Sequence, residues 1–117
     1  MSGAVSYHAG LAAEARVAAH YQAAGRAIAA RRWRGEGGEI DIVARDGDAV
    51  IFVEVKHAET HAWAAERVSD RQIARIRTAA CEFVAGEPGG QDTEMRFDLA
   101  LVDGKGRIDV IENVFWH

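Results

Sequence analysis

The chain has 117 residues, 49% hydrophobic and 27% charged, which is room for one domain of ordinary globular composition. No apolar run approaches the roughly 18 residues that a membrane span needs. Met1 to Tyr7 lacks the basic start and apolar core of a secretory signal, so none is expected. The lone cysteine, Cys81, leaves no internal disulfide and no CxxC zinc motif, and a reducing, cytoplasmic setting is expected. A formal net charge of −4 counts against indiscriminate coating of nucleic acid. The charge is nevertheless uneven. Arg26, Arg31, Arg32 and Arg34 form one basic cluster, and Arg67, Arg71, Arg75 and Arg77 form a second, opposed there by Asp70. Acids dominate from Gly86 onward, so a one-sided basic surface on an acidic molecule is expected.

In chain order, Ser6 to Ala24 reads as an Ala-rich helix with Leu11, Val17, Ala18 and Tyr21 near one stripe, stopped by Gly25. Ala27 to Trp33 is ambiguous, and a short edge strand fits there. Glu39 to Ala44 and Ala49 to Lys56 are β-branched strands around Arg45-Asp46-Gly47-Asp48, a strong hairpin signal. His57 to Val68 has no firm period and reads as a loop. Ser69, with Gln72 three residues later, opens a helix to about Ala85, whose buried stripe is Ile73, Ile76, Ala80 and Phe83 or Val84. Met95 to Val102 and Ile108 to Val114 read as two further strands. The order gives an α/β sandwich, a mixed sheet flanked by helices.

The chemistry sits on the hairpin. With Asp46-Gly47 as the two-residue turn, Ala44 faces Ala49, Ile42 faces Ile51 and Ile40 faces Val53. One face is then Ile40, Ile42, Ala44, Ala49, Ile51, Val53 and Val55, wholly apolar and therefore core. The other carries Glu39, Asp41, Val43, Val50, Phe52, Glu54 and Lys56, with Glu39 across from Glu54 and Asp41 diagonal to it, at roughly 7–8 Å between backbones. Converging carboxylates repel unless a cation lies between them, and such hard oxygen ligands suit Mg²⁺ or Mn²⁺. A lysine beside them can orient an attacking water and offset charge developing on a phosphate. The competing reading is an exposed strand face on which Lys56 merely pairs with Glu54 or Glu39.

Asp41, followed after thirteen positions by Glu54-Val-Lys56, resembles the D-(x)n-E-x-K signature of the PD-(D/E)XK nuclease superfamily. The run from Gly38 to Gly47, with Val50 to Lys56, more closely resembles the YraN family of uncharacterised bacterial proteins. Ala13-Glu14-Ala15, Trp33-Arg34, Arg96-Phe97-Asp98-Leu99 and Glu112-Asn113-Val114-Phe115 agree with that family too. Members are similar to Holliday-junction resolvases in core fold. The resemblance implies a single restriction-endonuclease-like αβββαβ domain over residues 1–117. It implies Asp41 and Glu54 as metal ligands, Lys56 as the catalytic lysine, and Glu14 as an extra ligand or water-orienting group. Where the family carries a basic residue after E-x-K, this chain has His57-Ala58. Where it carries a lysine early in the second helix, Gln72 stands beside Arg71.

The expected function is Mg²⁺- or Mn²⁺-dependent phosphodiester hydrolysis on DNA, with branched or otherwise structured DNA implied by the resolvase resemblance. Arg31, Arg32, Arg34, Arg71 and Arg75 are the candidate phosphate contacts, and Gln72 is placed to reach phosphate or the lysine. A homodimer suits a domain this small acting on a junction. The alternative is a non-catalytic nucleic-acid or protein interaction module retaining a vestigial site, which the acidic net charge favours. His57 and His61 lie in the expected loop with no ligand partners in the pattern. Trp63 in the same loop reads either as a stacking residue for an unpaired base or as a loop anchor. Trp33 and Trp116 read as packing residues, and Cys81 as a buried small apolar residue.

Overall fold

The structure, a computed structural model, describes residues 3–114, with side chains from His8 onward; Phe115, Trp116 and His117 lie outside the described residues. Helix α1 (Gly3–Ala23) buries Ala13, Val17, Ala18 and Tyr21. Glu14 shares that stripe, so the helical period turns a carboxylate inward. Gly25, at φ +85°, ends the helix in the left-handed region that an L side chain resists. Strands β1 (Ala27–Arg34), β2 (Glu39–Asp46) and β3 (Ala49–His57) form an antiparallel meander. The short helix α2 (His61–Ala65) and the longer α3 (Asp70–Val84) then cross to β4 (Met95–Val102), which is parallel to β3. Strand β5 (Ile108–Ile111) returns antiparallel along β4.

The result is a five-stranded mixed sheet in the order β1-β2-β3-β4-β5, an α/β architecture consistent with a restriction-endonuclease-like core. Helix α1 covers one face through Val17 and Tyr21 against Ile42, Ala44, Ile51, Val53 and Ala100. Helix α3 covers the other through Ile76, Ala79, Ala80 and Val84 against Val43, Val50, Phe52, Phe97 and Leu101. The sheet centre is thus dry on both sides, as parallel pairing under crossover helices requires. Ser69 caps α3 by accepting from the Gln72 N–H, as the capping pattern indicates.

Four expectations are corrected. The hairpin register is displaced by two residues: Asp46 pairs with Ala49 and Ile42 with Val53, leaving Gly47-Asp48 as the turn. Of that pair only Gly47 has positive φ, at +62°, the pattern of a type II′ turn with glycine at its first central position. A two-residue slip preserves which side chains share a face, so most of the face assignment survives. Ile40 is the exception, since it packs with Val43 on the α3 side and not with Ile42. The segment expected to be a loop contains α2, whose N-cap Thr60 accepts from the Trp63 N–H; a single helical turn is too short to show a period. The last strand ends at Ile111 instead of Val114. Cys81 is exposed, because the stripe of α3 faces the sheet through Ala79 and Ala80 and turns residue 81 outward.

A buried ionic knot ties these layers together. Asp98 on β4 has no exposed surface. Its carboxylate accepts from the Tyr21 hydroxyl at 2.6 Å, from the Arg96 guanidinium through two bonds of 2.9 Å, and from the Asn113 N–H at 3.1 Å. All partners of the charge come from the protein, so no lone pair is left to face hydrocarbon unpaired. Asp98→Ala removes the shared acceptor of Tyr21, Arg96 and the Asn113 N–H and should cost about 3–5 kcal/mol. Tyr21→Phe removes one donor and should cost about 1–2 kcal/mol. Urea unfolding of the two variants checks both the order and the size.

Candidate functional site

Strands β2 and β3 pair only from Asp46–Ala49 to Ile42–Val53, and beyond that point β2 turns away. The Val55 N–H, which a longer ladder would give to a backbone carbonyl, donates instead to Asp41 Oδ2 at 2.8 Å. On the far side of β2, Arg32 lies between the pairs Arg31–Ile42 and Trp33–Ile40 and takes φ +52°. That left-handed turn costs a non-glycine residue about 1–2 kcal/mol. The twist it introduces accompanies the switch of Ile40 to the α3 side.

The parting of the strands makes a cleft of about 300 Å³ reached from both faces of the sheet. Helix α1 supplies Gly10 and Glu14, β2 supplies Asp41, β3 supplies Glu54, Val55, Lys56 and His57, and Arg67 and Gln72 close it from the crossover. Glu54 is 4% exposed, with Lys56 Nζ 3.5 Å from its Oε2. Burial, then a hydrogen bond with Asp41 and the repulsion of its charge, pushes the Glu54 carboxyl up to about 9, against the opposing pull of Lys56. Glu14 is raised in the same direction by burial and by Asp41, while Arg32 and Arg31 work against the shift. Its Oε1 is buried without a hydrogen bond, and Arg32 Nε stands 3.8 Å away. His57 is held below the usual imidazole range by burial and by the charges of Arg67 and Lys56.

The donor set is all oxygen. Asp41 raises the Glu54 and Glu14 carboxyls alike, so the three acids of the cleft lie within electrostatic reach of one another. No group of three Asp, Glu, His or Cys side chains among the described residues is placed to share one ion. What the cleft offers a cation is therefore the Asp41–Glu54 pair. That fits Mg²⁺, which is commonly held by one or two carboxylates with waters and substrate phosphate filling its remaining positions. The fit also has an electrostatic reason, since a cation would offset the burial and repulsion that raise the Glu54 carboxyl.

The structure brings Glu14, Asp41, Glu54, Lys56 and Gln72 into one cleft. It does not place Glu39 across from Glu54. The shifted register and the departure of β2 turn Glu39 toward β1, where it accepts from Arg32 Nε at 3.4 Å and Arg34 Nη2 at 3.2 Å. Arg31 is exposed on β1, and Arg71 and Arg75 are exposed on α3 outside the cleft lining. Arg26 sits at the turn end of the hairpin, 3.8 Å from Asp46. Arg67, the first arginine of the second basic cluster, lines the cleft and donates to the His57 carbonyl at 3.0 Å. His57, read in the sequence only as a loop residue, lines it too.

The raised Glu54 group has a defined consequence for stability. A carboxyl that binds its proton more tightly when folded contributes fully at low pH and loses that contribution as pH climbs through its folded value. The window runs from the usual carboxylate range up to about 9. In metal-free buffer Glu54→Gln should therefore gain stability over the wild type as pH rises through that window, with a slope of at most about 1.4 kcal/mol per pH unit. Urea titrations of the two proteins at a series of pH values measure the difference.

Comparison with known proteins places the chain in a family. The profile of "Uncharacterised protein family UPF0102" matches residues 13–112, a span that holds Glu14, Asp41, Glu54 and Lys56. A UPF0102 protein of Cereibacter sphaeroides strain KD131 is 61% identical over 115 residues, covering 98% of each chain. A UPF0102 protein of Ruegeria pomeroyi is 52% identical over 98% of this chain and 94% of its own. One from Dinoroseobacter shibae is 47% identical over 90% of this chain and 78% of its own. No helix among the described residues is long and apolar enough to cross a membrane. The match over nearly the whole chain, site included, means that this protein belongs to the UPF0102 family, the YraN-like family that its motifs resemble.

Proposed function

We propose that this protein is a divalent-metal-dependent nuclease that hydrolyses phosphodiester bonds in DNA. The observation that carries the reading is the buried Glu54 and the half-buried Asp41 in one cleft, with Lys56 Nζ 3.5 Å from Glu54, where β2 parts from β3. A buried carboxylate beside a second acid costs stability, and a fold retains such a pair where function needs it.

In this reading Asp41 and Glu54 hold Mg²⁺ or Mn²⁺. The ion, when bound, polarises the phosphoryl oxygen and acidifies a water. Lys56 orients that water and offsets the charge that grows on the phosphate. Glu14, which lines the cleft, accepts a hydrogen bond from the water and fixes its line of approach. Gln72 and Arg67 at the cleft, and Arg31, Arg32 and Arg34 on β1, bind phosphates on either side of the scissile bond. Arg71 and Arg75 extend that surface along α3. Structured or branched DNA is the proposed substrate class, and a second copy of the chain would allow both arms of a junction to be met.

Two observations favour the other reading, a non-catalytic binding module. The donor set is two carboxylates and not three, and the net charge is −4. The two readings separate cleanly. With Mn²⁺ the wild type should nick junction, flap or fork substrates, and Lys56→Ala should lose about a hundredfold or more of that rate. Mn²⁺ should still raise the melting temperature of Lys56→Ala, because lysine is not a ligand, and should leave Asp41→Asn and Glu54→Gln unmoved. Absence of wild-type cleavage on every substrate would favour the module.

A further inference from the structure

Next to the cleft lies a second groove of about 480 Å³ between α1 and the β4–β5 turn. His57 and Arg67 line both, so the two are neighbours with a shared wall. The acidic cleft is thus followed by a stretch that carries Arg16, Arg67 and Lys105. Two acids are also present. Asp103 is spent internally, accepting from the Lys105 N–H at 2.9 Å, the Arg107 N–H at 2.8 Å and the Arg107 guanidinium at 2.6 Å. Glu59 lies flat over Gly104, where an added Cβ would stand 2.8 Å from its carboxylate oxygens. Arg16 likewise lies over Gly106, whose φ of +80° keeps this turn open to glycine and leaves no side chain to push the guanidinium away. The cationic groups therefore outnumber the available anionic one.

The short helix between the groove residues Glu59 and Arg67, α2, carries an exposed tryptophan. Trp63 is 60% exposed, while Trp33 packs edge-on against Phe83. Its helix, α2, is tied to the groove at both ends: His61 Nε2 lies 2.9 Å from the Arg107 carbonyl oxygen, and Arg67, just past the helix, bonds the His57 carbonyl. A rigid aromatic face left in water beside a basic track is what a protein offers to unpaired bases. Paired bases keep their faces inside the duplex stack and cannot use it. The groove volume falls within the roughly 300–1,000 Å³ of small-molecule sites, the scale of one or two nucleotides and not of a double helix.

We propose that this groove binds the backbone of an unpaired DNA strand leading into the Asp41–Glu54 cleft, with Arg16, Arg67 and Lys105 on its phosphates and Trp63 stacked on a base. The proposal rests on the nuclease reading of the cleft and narrows its substrate to DNA with a single-stranded tail, such as a flap or fork.

The test is anisotropy of a labelled duplex carrying or lacking an oligo-dT tail, in Mg²⁺, with every protein in the Lys56→Ala background so that binding is read without cleavage. The tail should tighten binding about tenfold or more, the scale of one stacked base. Trp63→Ala and Lys105→Glu, changes on two separate exposed elements, should each remove most of that gain and leave blunt-duplex affinity within about twofold. The salt slope of the tail-dependent part should steepen by about 0.7 for each phosphate engaged, and Lys105→Glu should reduce it. Equal affinity for tailed and blunt DNA, a tail gain that survives both variants, or no binding to either would overturn the proposal. Wild-type cleavage is scored separately. Tail binding without cleavage defeats the nuclease reading and leaves this groove assignment standing, whereas cleavage with no tail preference does the reverse.

Discussion

A single substitution of hydrogen-bond acceptor organises the molecule. Where β2 leaves β3, the Val55 N–H is taken by the Asp41 carboxylate instead of a backbone carbonyl. A buried amide must be satisfied by something, so the strands can part there only because a side chain steps in. That one exchange opens the cleft, fixes Asp41 over the end of β3, and brings it against Glu54, which the strand's alternation has already aimed to the same place. The acceptor that permits the opening is also a member of the site. Structure and candidate chemistry therefore cannot be varied independently at residue 41.

The electrostatic layout follows from that geometry. Acid is concentrated inside the cleft, and the bases lie around it: Lys56 within, Arg67 at its wall, and Arg31 and Arg32 close enough from β1 to oppose the shift of Glu14. The molecule as a whole is acidic, so long-range attraction for a polyanion is weak and any hold on one must come from local contacts. By contrast, Asp98 shows how the same fold treats a carboxylate that serves structure alone. It is fully buried yet receives four donated bonds, while Glu14 is left with an oxygen that receives none. The difference between a saturated and an unsaturated buried acid separates support from site more clearly than burial does.

Much of this was legible in the sequence because the decisive signals are local. Period-2 alternation placed Glu54 and Lys56 on one face and the Ser69 capping pattern placed α3, whereas Glu14 was reached only through the family resemblance. The register was misjudged because Asp46-Gly47 and Gly47-Asp48 are both acceptable turn pairs. The choice between them depends on which strand register buries the sheet against α1 and α3, which no short window contains. The same reason hid the departure of β2 from β3, the left-handed Arg32 and the turning of Glu39 toward β1, all of which arise from pairing with β1. The exposure of Cys81 was missed on a finer scale, because one residue of helical phase decides it.

The chain positions of the site residues also bear on the time course of folding. Asp41, Glu54 and Lys56 belong to one hairpin closed by two residues, whereas β4 reaches β3 only after the whole α2–α3 crossover has been laid down. Closing the short loop costs far less chain entropy than closing the long one, so low contact order favours early formation of the hairpin. The carboxylates then meet while still wet, in a dielectric that mutes their repulsion. Desolvation of Glu54 comes with the docking of α3 and β4, at the end. The penalty of the acidic pair consequently falls on a late step and is felt in how fast the native state opens, far more than in how fast it forms.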